Sequence, residues 1–141
     1  MSGHAEPSDL LVRRVLEDCE VWAVVGLSCN EARAAFRVAR FLQAHGKQIV
    51  PVHPKAQTVH GEQGYERLAD IPFDVGCVDV FVRSELAGGI ADEAIEIGAS
   101  AVWFQLDVID RAAAARVREA GMDMVMDRCP AIEWPRLGPA A

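Results

Sequence analysis

Residues Val21 to Leu27 read Val-Trp-Ala-Val-Val-Gly-Leu, seven positions without a charged side chain. An unbroken apolar run of this length marks a strand covered on both faces, as in a parallel sheet. Ser28-Cys29-Asn30-Glu31 interrupts it, and a helical stretch follows from about Arg33 to His45-Gly46, where glycine suits the position just past a helix. The alternation then repeats. Gln48–Val52 (QIVPV), Cys77–Val82 (CVDVFV), Ala101–Leu106 (AVWFQL) and Met122–Met126 (MDMVM) read as strands. Ser84 to Gly98 and Ala112 to Gly121 read as helices. Upstream, Ser8 is placed to cap a helix over Leu10–Cys19 that buries Leu11, Val12, Val15 and Leu16. Pro51 cannot donate a ladder hydrogen bond, which sends the second strand toward an edge. Pro54–Gly64 is polar and irregular, Tyr65–Ala69 reads as a short helix, and the tail from Pro130 allows one turn before Pro135 and Pro139. Strand–helix alternation implies right-handed crossovers and a five-stranded parallel sheet flanked by helices on both faces.

The chain has 141 residues, the length of one domain, with residues 1–8 and 137–141 expected to be flexible ends. Its 14 basic and 21 acidic residues leave a net charge of −7. Nucleic acid and anionic membranes select basic surfaces, so neither is expected as a partner. The longest apolar run is far too short for a membrane span, and the opening residues carry Glu6 and Asp9 but no basic start of a signal peptide. Cys19, Cys29, Cys77 and Cys129 are widely spaced, without a C-x-x-C pair, so no metal site is expected and the thiols read as free. These features predict a cytoplasmic protein.

A parallel sheet binds ligands beyond the carboxyl ends of its strands, where the strand order reverses. The informative loops are therefore Ser28–Phe36, His53–Lys55, Arg83–Ser84, Gln105–Asp107 and Asp127–Pro130. The first lacks G-x-G-x-x-G, since only Gly26 of the glycines is present. Gly26 and Leu27 permit a tight exit from the strand, after which Ser28 and Asn30 can donate to a phosphate at a helix amino end. The same residues would also simply make a turn. Arg33 and Arg37 open a helix whose amino end favours acidic groups, which is tolerable if an anion binds there. Arg33, Arg37 and Arg40 also form one stripe that a solvated face would explain. Phe36 lies off the apolar stripe, which suits a ligand or subunit contact. The second loop, His53-Pro54-Lys55, replaces the carboxylate that takes ribose hydroxyls in NAD-binding folds. Lys55 instead attracts a ribose phosphate, as in CoA or NADP. Asp79, set between Val78 and Val80, is costly in a two-sided strand unless hydrogen-bonded, and is expected to tie down N–H groups of the first loop. Phe81, Val82 and Arg83 offer an apolar and cationic wall for a purine. Gln105 stands to fix the outer part of the site.

Together GLS at Gly26–Ser28, RVARFL at Arg37–Leu42, PVHPK at Pro51–Lys55, VDVFVRSE at Val78–Glu85, VWFQL at Val102–Leu106 and MDRCPAIE at Met126–Glu133 closely resemble the small stand-alone CoA-binding domain family. That family is similar to the nucleotide-binding domain of the succinyl-CoA synthetase α subunit. The likeness runs over roughly residues 12 to 137, with the motifs in family order. It implies a Rossmann-like sheet with CoA or acyl-CoA across the loops named above. Gly26 and Ser28 correspond to the phosphate-facing turn, Pro54 and Lys55 to the segment near the adenosine phosphates, and Phe81, Val82 and Arg83 to the adenine wall. Arg33-Ala34-Ala35-Phe36 stands where the family shows Arg-Pro-Ser-Tyr, His53-Pro54 where it shows Asn-Pro, and Gly88-Gly89 in place of a proline-containing helix start.

The phosphorylated histidine of the synthetase belongs to a separate domain, and His4, His45 and His60 are not placed to replace it. Cys129, after Asp127-Arg128, is the one nucleophile candidate, for a mixed disulfide with a CoA thiol. The sequence therefore predicts a CoA or acyl-CoA binder, a sensor or carrier, without evident catalytic machinery. Two alternatives stay open: an NADP- or CoA-dependent enzyme, and a regulatory interaction domain that has lost the ligand. Phe36, Trp134 and the proline-rich tail are candidate contacts for a homodimer or a protein partner.

Overall fold

The computed structural model describes residues 7–139. Its elements run α1 (Pro7–Asp18), β1 (Val21–Val25), α2 (Ala34–Ala44), β2 (Gln48–Val52), a 3-10 turn (Leu68–Asp70), β3 (Cys77–Val80), α3 (Ser84–Glu96), β4 (Ala101–Phe104), α4 (Arg111–Glu119), β5 (Asp123–Val125) and α5 (Pro130–Leu137). All five strands are parallel, in the order β2-β1-β3-β4-β5. The expected Rossmann-like α/β architecture is the observed one. Successive strands step to opposite sides of β1, so the order reverses between β1 and β3, where a crevice opens at the strand tips.

Alternate strand residues serve two cores. Trp22, Val24, Cys77, Ala101, Trp103 and Val125 face Val12, Leu16, Val38, Leu42 and Leu137 of α1, α2 and α5. Ala23, Val25, Val78, Val80, Val102 and Phe104 face Ala87, Ala91, Ala94, Ala113 and Val117 of α3 and α4. Burial on both faces explains why the strands read as apolar runs. Alanine dominates the α3 and α4 faces because small side chains let these helices approach the sheet and each other; a Cβ on Gly88 would stand 3.0 Å from Asp110 Oδ2 of the α4 cap.

Pro51 lies in an edge strand, and its carbonyl accepts from the Tyr65 N–H at 3.0 Å. Tyr65 is therefore extended beside Val52, and the helical turn starts only at Leu68, later than periodicity placed it. Ser8 is not a cap: α1 begins at Pro7, and Ser8 Oγ instead accepts from Arg128 at 3.3 Å. The tail from Pro130 is an eight-residue helix that continues through Pro135. Pro130 at its first turn loses no intrahelical bond. Tertiary contacts then hold the helix past Pro135: Leu137 is buried, Arg128 bonds Asp9 and Glu133 at 3.3 and 3.1 Å, and Arg136 bonds Asp9 at 3.0 Å. Of the ends expected to be flexible, residues 7, 8 and 137 are helical, whereas residues 1–6, with His4, and 140–141 lie outside the described residues.

Candidate functional site

Beyond β1 the chain must turn sharply beside β3. Gly26 takes φ +101°, and its N–H donates to the Val52 carbonyl at 2.8 Å. A Cβ there would meet the Phe81 Cβ and carbonyl oxygen at 3.2 Å, so conformation and space both require glycine. The next residues wind into local turns. Ser28 Oγ accepts from the Asn30 N–H at 3.2 Å, and Asn30 Oδ1 accepts from the Ala32 N–H at 3.0 Å. The Ser28 hydroxyl hydrogen and the Asn30 amide hydrogens remain available as donors. Arg33 occupies the cap position of α2 and supplies no capping bond, and no acidic residue lies in the first helical turn. The amino end of α2 is thus left with unmet N–H groups and partial positive charge.

A second turn meets the first. His53-Pro54-Lys55-Ala56 closes with the Ala56 N–H donating to the His53 carbonyl at 2.8 Å, proline preset for its second position. The Lys55 N–H donates to His53 Nδ1 at 3.1 Å, which fixes the imidazole as an acceptor on that side. The following segment folds back on itself, because Gly64 admits the Ala56–Gln57 backbone where a Cβ would collide. It is tied to the first loop by the Cys29 N–H on Gln57 Oε1 at 3.0 Å and Cys29 Sγ donating to the Thr58 carbonyl at 3.3 Å.

These turns and α3 enclose a cavity of about 810 Å³. Nine residues singled out from the sequence line it together: Gly26, Ser28, Asn30, Arg33, His53, Pro54, Lys55, Phe81 and Val82. The four others stand elsewhere. Leu27 is fully buried in the core. Phe36 is half-buried against that core, its ring 4.3 Å from His60 and under Arg40. Arg83 points to solvent near Glu85, because β3 ends at Val80 and the chain turns into α3. Gln105 is buried beyond β4, on the far side of β3 from the cavity, with Oε1 unpartnered among the described residues. Asp79 does not tie down the first loop. It is fully buried beside Val24 and Trp103, both oxygens lack a partner among the described residues, and burial pushes its carboxyl well above the usual range. Its strand position aims it at the α2-side core rather than at the strand tip.

The sequence reading missed the rest of the wall. Leu86, Gly89, Ile90 and Glu93 of α3 line the cavity, as do Cys29, Gln57, Glu66, Arg67 and Leu68. The α3 stripe was legible as a three-and-four spacing continuing from Val82. Leu86 is an exposed large apolar residue, and Gly89 has open space around its missing Cβ. Arg33, Lys55 and Arg67 line the cavity without an ion pair among the described residues. In an acidic chain, three unpaired cations beside an uncapped helix end are suited to a phosphate-bearing ligand. The apolar part, from Leu68 and Val82 to Ile90, is suited to a flat ring.

A family model described as a CoA binding domain matches residues 20–135. The chain belongs to the CoA-binding domain family. YneT, an uncharacterized protein of Bacillus subtilis (strain 168), is 32% identical over 123 residues, 87% of this CoA-binding domain and 91% of YneT. A hypothetical protein from Pyrococcus horikoshii OT3 superposes with TM-score 0.89 at 34% identity, over 97% of this chain and 99% of that one. Cell-free ID.343 from Thermus thermophilus gives 0.84 at 29% identity, over 92% and 98%. The dinucleotide forming acetyl-coenzyme A synthetase 1 of Ca. Korarchaeum cryptofilum gives 0.69 at 20% identity, over 80% of this chain and 27% of the synthetase, a likeness of fold alone. No described helix of the CoA-binding domain is long and apolar enough to cross a membrane.

Proposed function

We propose that this CoA-binding domain holds CoA or an acyl-CoA in the cavity between β1 and β3 and acts as a sensor or carrier rather than a catalyst. The carrying observation is the placement of Lys55 on the same cavity as the Gly26–Arg33 turn. The pyrophosphate would lie at the amino end of α2, near Ser28, Asn30 and Arg33. The ribose phosphate would meet Lys55, and the adenine would enter the apolar slot beside Val82 and Leu86. His53, just past β2, puts an imidazole at the position where a carboxylate would repel that phosphate.

The reading without catalysis is supported by how the reactive side chains are engaged. The Cys29 thiol donates to a backbone carbonyl, and His53 Nδ1 accepts from Lys55. No nucleophile is hydrogen-bonded to a side-chain base among the described cavity residues, so the arrangement that activates one is missing. Cys129 is buried at the start of α5 and packs in the α2-side core, away from the cavity.

Calorimetric titration and thermal shift with CoA, acetyl-CoA, NADP and NAD test the reading, since a ligand specific to the native state raises the melting temperature. CoA or its thioester is expected to shift the transition and NAD to leave it unchanged. A shift with NADP alone would replace the proposal by a nicotinamide-nucleotide site. Silence with all four would overturn it in favour of an interaction domain.

A further inference from the structure

The wall that α3 gives to the cavity is a single stripe. Leu86, Gly89, Ile90 and Glu93 recur at three- and four-residue spacing, so all four face the crevice. Because α3 starts at the strand tips and runs back along the sheet, Leu86 stands nearest the turns that carry Ser28 and Lys55. Glu93 stands at the far end, two helical turns or about 10 Å away. Across the slot, Arg67 and Leu68 lead into the 3-10 turn that packs on α3. Gly89 has nothing within 4 Å of where a Cβ would stand, which leaves a flat gap in the stripe beside Leu86 and Ile90.

At the end of this apolar slot Glu93 lacks a partner. It is half-buried, yet its carboxylate makes no ion pair and accepts no hydrogen bond among the described residues. Its neighbour Asp92, turned away from the cavity, is by contrast paired with Arg116 at 3.0 Å. The other carboxylate on the cavity, Glu66, is exposed and keeps its water. A carboxylate partly withdrawn from water is costly until a donor meets it. A phosphate cannot be that partner, since two anions repel. The group that fits is an N–H donor carried on a flat apolar body. Adenine has this form: its exocyclic amine lies on the six-membered ring, the part of the base farthest from the ribose. With the ribose phosphate at Lys55, the ring covers the gap at Gly89 and the amine reaches Glu93 one turn further along α3.

We infer that Glu93 reads the nucleobase: its carboxylate accepts a hydrogen bond from the exocyclic amine of adenine and so selects against a base with a carbonyl at that position. A carbonyl oxygen there would face the carboxylate with no hydrogen between them. The inference rests on the CoA reading of the cavity, and the experiment separates the two.

The probes are CoA and its inosine analogue, in which the amine of the base is replaced by a carbonyl and the rest of the molecule is unchanged. Both are titrated by calorimetry into the full chain and into Glu93→Gln, which keeps the size and helix propensity of the side chain while giving it an amide that can donate to a carbonyl. The wild type should bind CoA about tenfold or more tightly than the analogue. In Glu93→Gln the two affinities should come within about threefold of each other, chiefly because the analogue binds better. The ratio is the readout, because a change in folding or in phosphate binding moves both ligands together. Equal binding of the two by the wild type overturns the role of Glu93 and leaves the CoA site standing. So does a preference for CoA that persists undiminished in Glu93→Gln. Binding of neither ligand by the wild type overturns the CoA reading and this inference with it.

Discussion

Gly26 and Phe81 meet where the sheet order reverses: the position of a Cβ on Gly26 lies 3.2 Å from both the Cβ and the carbonyl oxygen of Phe81. The Phe81 N–H donates to Val25 at 2.9 Å and the Gly26 N–H to Val52 at 2.8 Å, so both turns leave the sheet from one continuous ladder. Gly26→Ala should therefore cost about 1–3 kcal/mol, from left-handed strain and crowding together. It should also weaken the ligand, because the Ser28–Asn30 turn hangs from this point. Urea denaturation and CoA titration of the variant check both effects, and wild-type stability would contradict the account of the turn.

Lys55→Glu places a carboxylate where the proposed ribose phosphate sits. CoA affinity should fall at least about tenfold, with the melting temperature of the unliganded protein unchanged, because Lys55 is exposed and makes no ion pair among the described residues. Calorimetry at two salt concentrations checks it. The wild type should lose affinity with added salt and the variant should lose less, since one charge contact is gone.

Gly89→Leu separates stability from binding. Gly89 sits within α3, with nothing within 4 Å of where a Cβ would stand. Leucine should raise stability by about 0.5–1 kcal/mol through helix propensity while filling the apolar slot beside Leu86 and Ile90. A higher melting temperature with CoA affinity reduced about tenfold or more is the expected pair of results. Unchanged affinity would remove the slot from the ligand site.

Asp79 makes stability depend on pH. Burial pushes its carboxyl well above the ordinary 3.8. Below that value folded and unfolded states are both protonated. Above it the unfolded chain releases a proton that the native state keeps, so stability falls as pH rises toward the folded value, by up to about 1.4 kcal/mol per pH unit. Asp79→Asn has no proton to lose. Its advantage over the wild type should be smallest near pH 4 and grow toward neutrality. Parallel pH–stability curves for the two proteins would show that Asp79 ionises in place.

The α/β alternation, the order of the elements and the edge position of β2 were legible in the sequence because they rest on local signals: apolar runs, glycines past helix ends, and a proline that cannot join a ladder. So were the residues at the tips of β1 and β2, since any parallel sheet brings those tips to one edge. The α3 wall was not read, because Leu86 and Ile90 look like an ordinary amphipathic stripe until the fold turns that stripe toward the crevice. Nor was α5, whose Pro135 argues against a helix locally while Asp9 and Arg128, distant in the chain, hold it in place. Asp79 lies on β3 as expected and Gln105 just past β4, but which polar groups find partners depends on atoms from several elements at once. Periodicity determines which face of an element is apolar, and the secondary structure follows from that. Only packing decides which faces meet across a cavity, because that depends on distances between segments that no local stretch of sequence contains.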